Sequence, residues 1–482
     1  MPKRSQLLPL LLVALFALAP AAPADASHGE AVYFEASTAL LNPSTRAKAF
    51  EQMRHLGVHA LRVELYWGRV APGATSATRP NFNARDPASY DWSLYDPILS
   101  EAKHLGWQVL LTVTSPVPRW ATSNLKAPYV TRPDSQDFRE FMTAVARHFG
   151  SEVGTYAIWS EPNHPAFLQP QFNSNGTPAS PRIYRGLYQA GYRGLQEAGL
   201  THPRVLFGET APTGYDSVKS LLRSEKSKAL LHDVAPLAFL RESLCLNSRY
   251  RKVGSCSELP MTGYAHHAYT VAVPPTYKTP GADNVTVGVL SRLSGALNKA
   301  AHVHALPAGL PIYLTEFGVQ SFPNKQLGVP VSVQAEYDAM AERIAYNNGR
   351  VAAFSQYLLE DDPVGGTPGA SVNGGTVGFQ TGLEYANGKP KPLYYAWPVP
   401  LAVSKRHHGY SLWGLVRPAG KATTVTVLVR KKGSSGYRTL RTVHTNAAGY
   451  WTLSSSTAGV LWRVRWVSPE GVRYEGPPIH AH

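Results

Sequence analysis

The chain has 482 residues, 44% of them apolar, which is more than one ordinary hydrophobic core serves and excludes a single small domain. Two cysteines exclude a disulfide-built scaffold. The formal charge of +15 is uneven, because residues 401–482 carry twelve Lys and Arg against two acids while the preceding 400 are nearly balanced.

In chain order, residues 1–26 combine Lys3 and Arg4, the run LLPLLLVALFALAP and a closing ADA, the pattern of a secretory signal cut after Ala26. No later stretch keeps the roughly 20 apolar residues of a spanning helix. The mature chain is therefore expected to be secreted, extracellular or associated with the cell envelope; an uncleaved signal acting as an anchor is the alternative. In that oxidising setting Cys245 and Cys256, eleven positions apart, are expected to close a short disulfide loop. Such a loop contributes under about 3 kcal/mol.

Residues 27–400 alternate short apolar strands with longer helical stretches. The strands are AVYFEAS, HALRVELYW, WQVLLTVTS, TYAIWSE, RVLFGET, TGYAHHAY, PIYLTEFG and VAAFSQYLL, and eight is the number that closes a parallel barrel. In DSQDFREFMTAVARHFG, Phe138, Phe141, Met142, Val145 and Phe149 recur at helical spacing along one face. A further helix is expected to begin with Ser180 as its N-cap and Pro181 at its first position. A doubly wound open sheet alternates in the same way, but the chain has no strand–Gly-x-Gly-x-x-Gly–helix unit. The spacing thus predicts a (β/α)8 TIM barrel. Residues 401–482 change character: GYSLWGLV, TTVTVLVRK, YRTLRTVHT, GYWTLSS and LWRVRWVS are rich in β-branched and aromatic residues and separated by turn residues. They predict a small basic all-β sandwich of immunoglobulin-like type.

In such barrels the reactive groups stand at the carboxyl ends of the strands. Glu161 closes the fourth strand in TYAIWSEPN, and Glu316 closes the seventh in PIYLTEFG, 155 positions later. An ionised glutamate in apolar surroundings costs several kcal/mol unless it is paired or used. Two carboxyls converging on one barrel mouth suit glycoside cleavage, where one protonates the departing oxygen and the other attacks the anomeric carbon or activates water. A gap of about 5–5.5 Å means a nucleophile and retention; about 6.5–9.5 Å leaves room for water and means inversion.

At these residues the chain resembles glycoside hydrolase clan A, the retaining (β/α)8 enzymes, and is closest to families 39 and 5 over roughly residues 30–400. WSEPN, Trp159–Asn163, is similar to the strand-four Trp-Asn-Glu-Pro-Asn motif, which implies Glu161 as general acid/base. YLTEFG resembles the strand-seven motif, which implies Glu316 as nucleophile. LRVELYW matches strand two, whose arginine, here Arg62, contacts the nucleophile. HHAY is similar to the strand-six His-x-Tyr pattern, carried over to His267 and Tyr269, and GKPKPLYYAW to the entry into the last helix. Two departures stand out. Ser160 replaces the asparagine that usually bonds the sugar 2-hydroxyl, and SQYLLEDD offers Gln356 and Tyr357 where the eighth strand often has a tryptophan.

Trp67 and Trp120, after strands two and three, either stack on sugar faces or pack the core. Trp159 and Asn163 count as supporting residues through the same motif. Glu35, Glu64 and Glu209 also lie in or after strands and are expected behind the catalytic pair; His266 is expected as a satisfied core group. Seventeen histidines show no His-Glu-x-x-His spacing, so no metal and no cofactor are implied. The expected partner of the barrel is a poly- or oligosaccharide, and that of the basic sandwich an acidic envelope glycan, with nucleic acid disfavoured for an exported protein. The sandwich charge is otherwise a solvated surface. The functional expectation is a secreted retaining glycosidase, and its alternative is a non-catalytic carbohydrate-binding or envelope protein on an inactive barrel.

Overall fold

The structure, a computed structural model, describes residues 30–223, 226–324, 326–363 and 378–482. The signal segment read at residues 1–26 lies outside the described residues. Eight parallel strands close a barrel in chain order: β1 Ala31–Glu35, β2 Ala60–Tyr66, β3 Gln108–Thr114, β4 Thr155–Ile158, β5 Val205–Thr210, β6 Gly263–His267, β7 Ile312–Phe317 and β8 Val351–Tyr357. β8 returns to β1 in register, Val32 opposite Phe354 and Phe34 opposite Gln356. The strands are apolar almost throughout because helices cover the outside and side chains fill the inside.

One side chain from each strand makes the inner floor: Tyr33, Ala60, Leu110, Ala157, Leu206, Ala265, Tyr313 and Ala353. Two tyrosines and two leucines fit there because the other four positions are alanines, which is how a barrel packs solid instead of leaving a pore. Side chains alternate inward and outward along a strand. On six of the eight strands the next inward residue, two positions on, is polar: Glu35, Arg62, Thr112, His267, Thr315 and Ser355, all buried. The floor therefore sets which residues face the mouth wherever the strands stay regular.

The helix Ser135–Phe149 buries Phe138, Phe141, Met142, Val145 and Phe149 against the barrel, and Asp134 caps it by accepting the Asp137 N–H. The helix Ser180–Glu197 starts one residue earlier than its sequence suggests. Ala179 is its N-cap, and Ser180 is already helical, its hydroxyl donating to Gln171 Oε1 at 2.8 Å. That bond takes the serine oxygen away from capping. Gln171 in turn donates to the carbonyls of Pro162 and Leu168, fastening the loop behind Glu161. Cys245 and Cys256 are joined in a disulfide.

Beyond the barrel, two antiparallel sheets face each other around Trp451, Trp462 and Trp466. One has the order β13 (Trp451–Ser455), β10 (Gly409–Gly414), β9 (Leu401–Arg406); the other β12 (Arg438–His444), β11 (Thr424–Arg430), β14 (Leu461–Val467), β15 (Arg473–Glu475). β9 and β15 were not among the predicted strands. β15 is three residues long, and only the β9 stretch Leu401–Val403 is buried, so neither carries a full alternating pattern.

The β9–β10 sheet docks on the barrel helix Val331–Tyr346, where Ala402, Trp413, Leu415 and Tyr450 pack with Ala339 and Tyr346. Beside them Arg417 is buried over the Trp397 ring, 3.7 Å from its centroid, and donates two 2.9 Å bonds to Glu342. Glu30 and Asp338 are buried nearby. Burial and the Glu342 charge push Asp338 up to about 7, with Arg417 opposing.

Arg417→Met leaves Glu342 buried without its counter-ion and is expected to cost about 3–5 kcal/mol, read as a lower melting temperature; Arg417→Met with Glu342→Leu recovers part of the loss. Folded Asp338 keeps a proton that the unfolded chain releases above about pH 4. Stability should therefore decline between about pH 4 and 7, by about 1.4 kcal/mol per pH unit for each proton held. Asp338→Asn is expected to flatten that decline in denaturation midpoints measured across the window.

Candidate active site

Arg62 rises from β2 through the centre of the barrel with no solvent exposure. Its Nη1 donates to Glu316 Oε1 at 2.7 Å and to Glu35 Oε2. Nη2 reaches Glu209 Oε2 at 2.8 Å, Ser160 Oγ at 3.3 Å and Glu64 Oε1 at 3.4 Å, while Nε bonds Glu209 Oε1 at 3.1 Å. One guanidinium thus ties carboxylates from β1, β2, β5 and β7. Burial alone pushes the Arg62 pKa down, but Glu209, Glu35, Glu316 and Glu64 more than reverse it and keep it charged. Glu35, fully buried, is pushed up to about 7 by burial, with Arg62 pulling it back.

The strand ends deviate from regular geometry where these side chains emerge. Register shifts break β5 at Gly208/Thr210, β6 at Ala265/His267 and β7 at Leu314/Phe317. A bulge adds a residue and re-aims the side chain beside it; the extra residues fall in β5 and β7, where they re-aim Glu209 and Glu316. After β4 the backbone turns left-handed at Trp159 (φ 73°) and again at Glu161 (φ 39°). Non-glycine residues adopt such angles at a cost of order 1–3 kcal/mol, held by their surroundings. The consequence is that Trp159 swings outward onto Phe138 while Ser160 meets Arg62.

Glu161 and Glu316 then face each other across the mouth with His267 between them. His267 Nδ1 lies 2.9 Å from Glu161 Oε1 and 3.4 Å from Glu316 Oε2. A donor atom from each of the three lies within 4.8 Å of the others. Burial, then Arg62, pushes His267 down to about 3, so the ring is neutral. Burial raises both glutamates, and for Glu316 the charges of Glu35, Glu64 and Glu161 add to it while Arg62 opposes. Their partners differ. Glu316 accepts bonds from Arg62 and, at 3.0 Å, from the Tyr269 hydroxyl, donors that favour its ionised form. Glu161 instead bonds a neutral imidazole. Two carboxylates and an imidazole are also a donor set for a cation, but these donors already bond one another, and because they come from three strands no sequence spacing reveals them.

Several expected site residues sit elsewhere. Trp67 is fully buried and stacked on Phe141, 5.2 Å between centroids, so no sugar reaches it. Trp120 packs edge-on against Trp67 and donates its N–H to the Pro72 carbonyl, in the same aromatic layer outside the barrel. Trp159 donates to the Phe167 carbonyl at 3.0 Å. Asn163 is buried and braces loops, bonding Ala211 N, Ala211 O and Val234 O. Gln356 is pinned to the Thr381 carbonyl at 3.1 Å. Its place is set by alternation: Ala353 faces inward, so Ser355 and Tyr357 do too, and Gln356 does not. Tyr357 meets Tyr269 edge-on at 6.4 Å and Phe379 at 5.2 Å. His266 is buried, bonded to Thr210 Oγ1 at 2.9 Å and the Val285 carbonyl at 2.8 Å. The sequence reading also passed over Tyr66, which donates to Glu64 Oε2 at 2.6 Å, and the pair His164 and Asp233 beside Glu161, 3.8 Å apart. Asp233 is pushed up to about 8 by burial and by Glu161.

No family model matches the chain, and no curated protein matches it in sequence. Among solved structures, a glucosidase from Croceicoccus marinus matches at 11% identity, covering 91% of this chain and 95% of its own, with a TM-score of 0.50. The chain shares its fold with a glucosidase. Xylanase 10B from Thermotoga maritima aligns at 15% identity over 77% of this chain and 94% of its own, with a TM-score of 0.43.

Arg62→Met leaves Glu35, Glu209 and Glu316 buried without their cation. It is expected to destabilise the fold by about 3–5 kcal/mol, seen as an earlier denaturant midpoint at neutral pH that recovers in part on acidification, as the carboxyls take up protons.

Proposed function

We propose that the protein is a retaining glycoside hydrolase acting on a polysaccharide or glycoconjugate. The observation that carries this reading is the approach of Glu161 and Glu316 to within 4.8 Å at the carboxyl end of a parallel barrel. A nearest-oxygen approach within 4.8 Å suits the shorter, retaining spacing of about 5–5.5 Å better than the inverting spacing of about 6.5–9.5 Å.

The steps follow from the partners of each carboxyl. Glu316, held by Arg62 and Tyr269, attacks the anomeric carbon as the glycosidic C–O bond breaks, and Glu161 gives its proton to the departing oxygen. Once Glu316 is an ester its charge is gone, so the now ionised Glu161 accepts a proton from water, which attacks the same carbon and releases Glu316. Neutral His267 holds Glu161 in place, and the ring of Tyr357 offers the sugar an apolar wall. Ser160 turns its oxygen to Arg62, so a 2-hydroxyl contact there is shorter by an amide than in the clan motif. Export belongs to the same reading, supported by the basic start, apolar run and ADA of residues 1–26, as does an acidic glycan as partner of the basic sandwich.

The Ser160 substitution favours one second reading, a carbohydrate-binding protein that turns nothing over. Hydrolysis of an aryl-glycoside and glycan panel by wild type, Glu161→Gln and Glu316→Gln separates the two. Each variant is expected to lose at least about 100-fold in kcat, and early product spectra should show the anomer of the substrate. Equal rates from all three proteins would end the enzyme reading.

A further inference from the structure

The sandwich uses its two sheets differently. The β9–β10 sheet is spent on the barrel helix Val331–Tyr346. The four-stranded sheet turns Val425, Val427, Val429, Trp462 and Trp466 inward, so by alternation it sends Arg430, Arg463 and Arg465 outward, away from the barrel, with Arg473 opposite the exposed Val467.

This outward face is organised. The Tyr437 ring lies under two guanidinium groups, Arg463 at 4.8 Å and Arg430 at 6.0 Å from its centroid. Among the described residues Glu475 is the one acid paired with this face, at 3.3 Å from Arg463, 3.0 Å from Arg465 and 3.2 Å from Arg473. Four arginines against one carboxylate leave a surplus of positive charge on this face. The Nε atoms of Arg430 and Arg463 and the Tyr437 hydroxyl are shielded from solvent and have no protein partner. The cations are all arginine, whose planar fork suits carboxylates where a lysine offers a point charge.

We infer that this face binds a linear acidic polysaccharide, its carboxylates paired by Arg430, Arg463, Arg465 and Arg473 across strands about 4.8 Å apart. Tyr437 is already capped by two arginines and offers no free ring for a nucleic-acid base to stack on. The choice of a glycan among polyanions rests on the glycosidase reading of the barrel; the anion-binding face does not.

The test is binding of the full-length protein to polygalacturonate, read by affinity electrophoresis and titration beside neutral dextran, DNA and anionic vesicles. Wild type is expected to be retarded by polygalacturonate at low salt, released at high salt and indifferent to dextran. Arg463→Ser with Arg465→Ser should weaken binding by about tenfold or more, whereas Lys405→Ser with Arg406→Ser, which removes the same charge from β9, should change it by about twofold at most. Overturning results are no retardation of wild type, equal binding by both double variants, or tighter binding to DNA or vesicles than to polygalacturonate. Binding is read without turnover, so an inactive barrel and an inert sandwich are told apart.

Discussion

The barrel mouth depends on one buried cation. Four carboxylates cannot share a dry interior as anions, since the cost of burying each exceeds what packing returns. Arg62 makes the arrangement possible because a guanidinium has donors in several directions within one plane, and here they reach Glu35, Glu64, Glu209 and Glu316 at once. A lysine in its place would present one charged point and could not orient strands β1, β5 and β7 together. The position of Glu316 opposite Glu161 is thus inherited from Arg62.

That arginine is in turn placed by the apolar floor beneath it. Ala60 fills its share of the floor with a methyl group, and the strand repeat of two then brings Arg62 and Glu64 inward. Alternation alone would turn Trp159 inward and Ser160, Glu209 and Glu316 outward. The left-handed turns at Trp159 and Glu161 and the bulged ends of β5 and β7 supply the difference, a local backbone cost concentrated where the reacting groups are needed.

The sandwich junction repeats the same solution. Arg417 is paired with Glu342, and the buried Asp338 and Glu30 lie near enough to feel its charge, so one buried guanidinium again offsets neighbouring acids. The arginines of the opposite sheet have too few acids to do this. Buried arginines order the fold, and exposed ones leave charge for a partner.

By itself the sequence determined the eight strands, the apolar face of Ser135–Phe149, the β character of the last eighty residues and the two motif glutamates, because each of these is written in local periodicity or contiguous residues. Only the tertiary structure decided which aromatics see the mouth. Trp67 and Tyr357 both follow or end a strand, yet Trp67 starts the turn Trp67–Val70 and falls among helices while Tyr357 keeps inward parity. Asn163 and Gln356 likewise look like substrate contacts in a motif, but their amides are consumed by loop carbonyls contributed from residues 211, 234 and 381. The physical reason is that a hydrogen bond or ion pair is chosen by proximity in space, and the partners of Arg62 are spread over some 280 positions of chain that only barrel closure brings within bonding distance.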